Sequence, residues 1–174
     1  APRHSVLNQA DLLAPLGVDA CDPVREPLEM AEDAAVRERV DRRLREQGIG
    51  PDAEIAVVHV SAGNPFRRWP AASFAALAAS LVRRDPRRRV ILVSGPSERG
   101  AAAGVMDAAR AELAGAGHAV SAGEYDLPEL RALVARAAVY IGGDSGPLHV
   151  AATTRTPIVE LLGPFGFEVK SPAE

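Results

Sequence analysis

The run Gly142-Gly143-Asp144-Ser145-Gly146-Pro147-Leu148-His149 has the residue types needed to grip an anion. A strand-like segment stops at two glycines, which permit a tight turn, and helix-like sequence follows. The first turn of a helix offers unpaired N–H groups and the positive end of its dipole, which suits a phosphate. Ser145 would add a hydroxyl donor, and His149, one turn further on, could face the same ligand. Pro147 has no N–H and removes one donor from such a nest. The same residues also suit a plain helix N-cap by Asp144 or Ser145.

Two other loops carry comparable chemistry. Ser61 to Pro70 holds Gly63, Arg67, Arg68 and the only tryptophan, Trp69. Gly63 allows close backbone approach, and the two guanidinium forks match phosphate oxygens. A solvated arginine pair beside a packing tryptophan would read the same way. Ser94-Gly95-Pro96-Ser97-Glu98 offers a carboxylate that could accept both ribose hydroxyls, as an acid does in dinucleotide folds. Glu98 equally fits the first turn of a helix, where the dipole favours an acid.

These loops follow an alternation of elements. Apolar residues at helical spacing predict a helix over about 31–47, through Val36, Val40 and Leu44. Ile55 to Val60 reads as a strand buried on both faces. A helix through Phe74, Leu77, Ala78, Leu81 and Val82 follows, then a strand over Arg89–Val93 and a helix over Ser97–Leu113. His118–Val120 is a weak third strand. Asp126-x-x-Glu129 resembles a capping box opening a helix to Ala137, with Leu127, Leu130, Leu133 and Val134 on one face. Ala138–Ile141, a helix over Leu148–Thr154, and a strand over Pro157–Leu162 complete the series. Residues 1–30 read as an irregular connector with a short helix within Leu7–Leu16. Strands alternating with helices imply an α/β domain with a Rossmann-like parallel sheet flanked by helices. In such sheets ligands bind at the carboxyl ends of the strands. There lie the loops 61–70, 94–98, 121–126, 142–149 and 163–166.

Composition narrows the class. The chain has 174 residues, enough for one domain, and 20 Lys+Arg against 23 Asp+Glu give a net charge of −3. That argues against a general nucleic-acid binder. The run Arg83–Arg89 reads as the cover of a helix C-terminus at the sheet end opposite the site. One cysteine, Cys21, excludes an intrachain disulfide framework. The four histidines, His4, His59, His118 and His149, lack metal-ligand spacing, and His59 reads as a core residue. No apolar run reaches membrane-spanning length. The dinucleotide fingerprint, the P-loop and the hydrolase elbow are all missing.

The ordered set of Gly63 with Arg67-Arg68-Trp69-Pro70, Gly95 with Glu98, Asp126-Leu127-Pro128-Glu129-Leu130, Asp144-Ser145-Gly146-Pro147-Leu148-His149-Val150-Ala151-Ala152, and Gly163-Pro164 resembles the family 9 glycosyltransferases. These are the ADP-heptose:lipopolysaccharide heptosyltransferases and their relatives. The resemblance covers roughly residues 55–166, and His4–Gly17 resembles the stretch just before the family's interdomain connector. It implies the C-terminal, nucleotide-sugar-binding half of a two-domain GT-B enzyme, with residues 1–30 as a connector from an N-terminal domain and residues 31–174 as a Rossmann-like domain ending before the family's final helices.

The resemblance also implies roles. Arg67 stands at the family's phosphate-binding lysine, Glu98 at the ribose acid, Asp144 at the acid that meets the donor sugar. Ser145 and Gly146 stand at the pyrophosphate turn, with His149 beside it. Gly63, Arg68 and Gly95 complete the donor-binding set. Phe165 departs from the hydroxyl residue common after Gly-Pro. The implied ligand is ADP-heptose or ADP, with no metal or other cofactor. The implied partners are the acceptor domain of the same enzyme, which would carry the general base, and a lipopolysaccharide core acceptor. Nucleic acid and a transmembrane segment are not expected. The implied location is cytoplasmic, at most peripheral at the inner face of the inner membrane. A flavodoxin-like, non-catalytic nucleotide-binding or interaction module and half of a GT-B sugar epimerase remain alternative readings.

Overall fold

The structure, a computed structural model, describes residues 9–18, 27–61, 69–95, 98 and 100–162. The chain divides into two units, Ala1–Met30 and Ala31–Glu174. In the first, the described part holds a 3-10 helix, Asp11–Leu16, closed by Gly17 at φ 74°. Pro15 lies inside it and limits its regularity.

The second unit is built on a five-stranded parallel sheet. Its strands are β1 (Glu54–His59), β2 (Arg88–Val93), β3 (Val120–Gly123), β4 (Val139–Gly143) and β5 (Ile158–Leu161). Their order is β3-β2-β1-β4-β5. The register places Ala56 beside both Val90 and Val139, and Val58 beside both Leu92 and Ile141. The helices are α1 (Ala34–Glu46), α2 (Ala71–Arg84), α3 (Ala101–Leu113), α4 (Leu127–Ala135) and α5 (Gly146–Ala151). The alternation expected of a Rossmann-like α/β domain is therefore present.

Strand period decides which helix covers which face. Ala56, Val58, Val90, Leu92, Val120 and Ile141 form one core with Phe74, Ala78 and Val82 of α2 and Val105 and Ala109 of α3. The alternate residues Ile55, Val57, Ile91, Val93 and Tyr140 face Val36, Val40 and Leu44 of α1, Leu130, Leu133 and Val134 of α4, and Ala151 of α5. Both faces of β1, β2 and β4 are thus buried, so these strands read as apolar runs.

Several boundaries differ from expectation, each for a local reason. Helix α3 starts at Ala101, not Ser97, because Gly100 sits at φ 90°, outside helical geometry. The third strand starts at Val120, because a 3-10 helix, Ala114–Ala119, occupies His118 and Ala119. The Arg110 guanidinium fixes that junction, donating from Nε (3.0 Å) and Nη2 (2.8 Å) to the Val120 carbonyl. Helix α5 spans Gly146–Ala151 rather than Leu148–Thr154. It starts early because proline suits a first turn. It ends early because the Thr153 and Thr154 hydroxyls donate to the Val150 and Ala151 carbonyls, each at 2.7 Å. Leu127, expected on the buried face of α4, is exposed, being the residue next to the cap.

The Arg83–Arg89 run lies at the amino end of β2, where the Arg83, Arg87, Arg88 and Arg89 guanidinium groups find local partners. Arg83 donates to the Glu112 carbonyl (2.9 Å), Arg87 to Asp85 (3.0 Å) and Arg88 to Glu54 (2.9 Å). The Arg87 hydrogen bonds hold the Asp85 carboxyl well below the usual carboxylate range.

Candidate functional site

In this strand order the direction of progression reverses between β1 and β4, the switch point at which open α/β sheets bind ligands. The loops leaving β1, β2 and β4 therefore share one edge. They carry Ser61, Gly95 with Glu98, and Asp144 with Ser145. Gly63, Arg67, Arg68 and the loop after β5, with Phe165, lie outside the described residues.

The β4 loop is not the glycine turn its sequence suggests. Gly142 and Gly143 remain in the strand, paired with Glu160 and Leu161 of β5. Gly142 is needed instead for close approach. A Cβ there would meet Tyr140 Oη at 2.9 Å, Tyr140 Cε1 at 3.1 Å and His59 Cβ at 3.2 Å. Asp144 and Ser145 are half-buried, while Gly146 and His149 are exposed.

Ser145 is the N-cap residue of α5, with extended φ −160° and ψ 166°, yet its side chain does not cap the helix. Its hydroxyl donates instead to the Gly143 carbonyl at 3.1 Å. The plain-cap reading of Ser145 therefore lacks its defining bond, and because the single hydroxyl proton is given to Gly143, the hydroxyl would have to turn from that carbonyl to donate to an anion. With six residues, α5 has little cumulative dipole, so any anion here would depend on individual N–H groups and nearby cations.

Glu98 is half-buried in the turn between β2 and α3, three residues ahead of the helix. Its N–H donates to the Gly95 carbonyl at 3.0 Å. Trp69 stacks edge-on to Phe74, with ring centroids 5.2 Å apart at 87°. Pro70 then caps α2, its carbonyl receiving the Ser73 and Phe74 N–H groups at 2.9 and 3.2 Å.

A second cluster escaped the sequence reading. His59, in the last position of β1, is 4% exposed, and its Nε2 lies 3.0 Å from Ser61 Oγ. Ser61 Oγ also accepts the Gly95 N–H at 3.1 Å. Burial pushes the imidazole down to about 4, against a smaller opposing pull from Glu98. His59 Nδ1 and Tyr140 Oη are buried without hydrogen-bond partners, and burial raises the Tyr140 phenol. His59 is therefore a core residue, as expected, but only half satisfied. A histidine in an apolar strand with serine two residues on was the available signal. Among the described residues, no group of three or more His, Cys, Asp or Glu is placed to hold a metal ion. No helix among them is long and apolar enough to cross a membrane.

The fold defines a Rossmann-like α/β domain whose loops after β1, β2 and β4 share the edge where open parallel sheets of this kind place their ligands. More specifically, the chain belongs to glycosyltransferase family 9 (heptosyltransferase), whose family model matches residues 2–168. It is 33% identical over 158 residues to an Escherichia coli lipopolysaccharide heptosyltransferase 3, a match covering 91% of this chain and 44% of that protein. The chain thus spans less than half the length of the curated relatives it matches. Among solved structures it is similar to a family 9 glycosyl transferase from Veillonella parvula DSM 2008, with TM-score 0.71, 22% identity and coverage of 86% of this chain and 40% of that one. It is also similar to an E. coli heptosyltransferase with ADP-2-deoxy-2-fluoro heptose, with TM-score 0.55, 20% identity and coverage of 92% and 45%.

Proposed function

We propose that this chain is the donor-binding half of an inverting GT-B glycosyltransferase that takes a nucleotide-diphosphate sugar, ADP-heptose, for lipopolysaccharide core synthesis. The observation that carries the reading is the convergence of Ser61, Gly95 with Glu98, and Asp144 with Ser145 at the switch point of a family 9 domain. In this reading Glu98 accepts the ribose hydroxyls and Asp144 meets the sugar. Arg67, Ser145, Gly146 and His149 stabilise the leaving diphosphate electrostatically. Gly63, Arg68 and Gly95 complete the pocket.

Transfer also needs a general base to activate the acceptor hydroxyl. No residue of this chain is assigned that role; it belongs to an acceptor-binding domain joined through residues 1–30. Positioning both substrates can supply roughly 7–11 kcal/mol of a barrier, and one wall of a cleft cannot position both. The chain by itself therefore binds donor without turning it over. The enzyme works on the cytoplasmic side, where nucleotide sugars are the donors.

Calorimetric titration with ADP, UDP and GDP tests the reading. Preference for ADP supports it, preference for UDP points to an epimerase-like half, and no binding favours a non-catalytic module. Glu98→Gln should weaken ADP binding by about 1.5–3 kcal/mol, the range for hydrogen bonds to a charged group, and leave the Tm of the free protein nearly unchanged. Equal losses of binding and stability would return Glu98 to a structural role.

A further inference from the structure

Ser61 and His59 form a buried joint between β1 and the turn that carries Glu98. The Val60 N–H donates to the Val93 carbonyl at 3.0 Å, so the β1–β2 ladder continues past the last residue of β1. One residue on, Ser61 Oγ takes over: it receives the Gly95 N–H at 3.1 Å and contacts His59 Nε2 at 3.0 Å. Gly95 is then held at both ends, because its carbonyl receives the Glu98 N–H at 3.0 Å. The position of Glu98 follows from Gly95, and that of Gly95 from Ser61.

A serine hydroxyl has one proton and two lone pairs. Gly95 N–H occupies one lone pair, and the proton is free to donate to a neutral imidazole at Nε2. The imidazole is held by burial in the last position of β1 and by its contact with Ser61 Oγ. His59 and Ser61 are 4% and 7% exposed, so water does not readily replace either bond.

We propose that Ser61, oriented by His59, is a positioning residue for the donor nucleotide: it fixes the Gly95–Glu98 turn to the end of β1 and so sets nucleotide affinity through Glu98. This rests on the donor-binding reading. Neither side chain is required to touch the ligand. A purely structural serine would change stability alone.

The test is a calorimetric double-mutant cycle with ADP on the purified protein, with thermal melts alongside. Ser61→Ala should weaken ADP about tenfold, equivalent to about 1.4 kcal/mol. Ser61→Cys, which keeps the volume with a weaker hydrogen-bonding group, should follow it if the alanine variant folds poorly. Ser61→Thr, which keeps the hydroxyl, should restore affinity to within about threefold of the wild type, or roughly 0.7 kcal/mol. In a Glu98→Gln background Ser61→Ala should have little further effect, because coupled residues are not additive. Wild-type binding matched by folded Ser61→Ala or Ser61→Cys would overturn the inference while leaving the donor reading intact. Fully additive losses in the cycle would overturn it too. Absence of ADP binding by the wild type would remove the donor reading and this inference with it.

Discussion

The Tyr140 hydroxyl occupies the space that a side chain at Gly142 would need, with its Oη 2.9 Å from the position of a Cβ there. Both residues lie on β4 two positions apart, hence on one face. The next strand supplies His59 Cβ at 3.2 Å from the same point. The glycine therefore makes room for two larger neighbours.

Gly142→Ala should destabilise the protein by about 1–3 kcal/mol, the usual cost of overpacking a closed core. Tyr140→Phe should be near neutral, since its buried hydroxyl has no partner to lose. The double variant should recover part of the alanine loss, but not all, because Tyr140 Cε1 and His59 Cβ remain. Urea midpoints at constant m-value would show it. An alanine variant as stable as the wild type would mean that the strand shifts without cost.

His59 makes stability depend on pH with a definite sign. Its folded value, about 4, lies below the ordinary 6.5. Between those values the unfolded chain binds more protons, so stability rises with pH. The contribution is complete above about 6.5 and falls away as pH drops toward about 4. The whole window corresponds to roughly 3 kcal/mol. His59→Gln should flatten the stability curve across this window relative to the wild type, leaving the carboxylate titrations common to both. Parallel curves for the two proteins would mean that the imidazole is not buried as described.

The alternation of elements was legible because each strand of the sheet centre is buried on both faces and each helix on one. Ile55–Val60 and Val36/Val40/Leu44 carry those patterns openly. The ends were less legible because they depend on single contacts. Nothing in the sequence around Ser97 shows that Gly100 takes φ 90°, or that Thr153 and Thr154 cap α5 with their hydroxyls. The site loops were visible as glycine- and charge-bearing breaks, and the sheet order put three of them on one edge. The His59–Ser61–Gly95 link was not visible, since it joins residues 34 apart through a backbone N–H. The roles of Gly142 and Gly143 were misread for a similar reason: a glycine in a strand answers to its neighbours, which only the register reveals.

The capping box at α4 is the local feature that sequence and structure share most closely. Asp126 Oδ1 accepts the Glu129 N–H at 2.8 Å, and Glu129 Oε2 accepts the Asp126 N–H at 3.3 Å. Asp126→Ala should cost about 1 kcal/mol, as for other lost N-caps. Asp126→Ser should retain most of that, because the hydroxyl can accept the same bond. Thermal melts of the two variants would decide. Equal destabilisation by both would assign the effect to charge instead of capping.

Arg67 and Arg68 are adjacent and chemically identical, yet the family resemblance assigns only Arg67 to the lysine position on the phosphates. Arg67→Ala should therefore cost ADP more than Arg68→Ala, by about 1.5–3 kcal/mol for loss of a charge-assisted contact. Arg67→Lys should keep most of the affinity, since an ammonium binds phosphate as a point charge even without the fork. Arg68→Ala should instead reduce affinity modestly, with an effect that fades as salt screens the general field. Calorimetry of the three variants at two ionic strengths separates the cases. Equal, salt-sensitive losses at both positions would make the pair a diffuse positive field, and the phosphate contact would then fall to the Ser145–Gly146 turn.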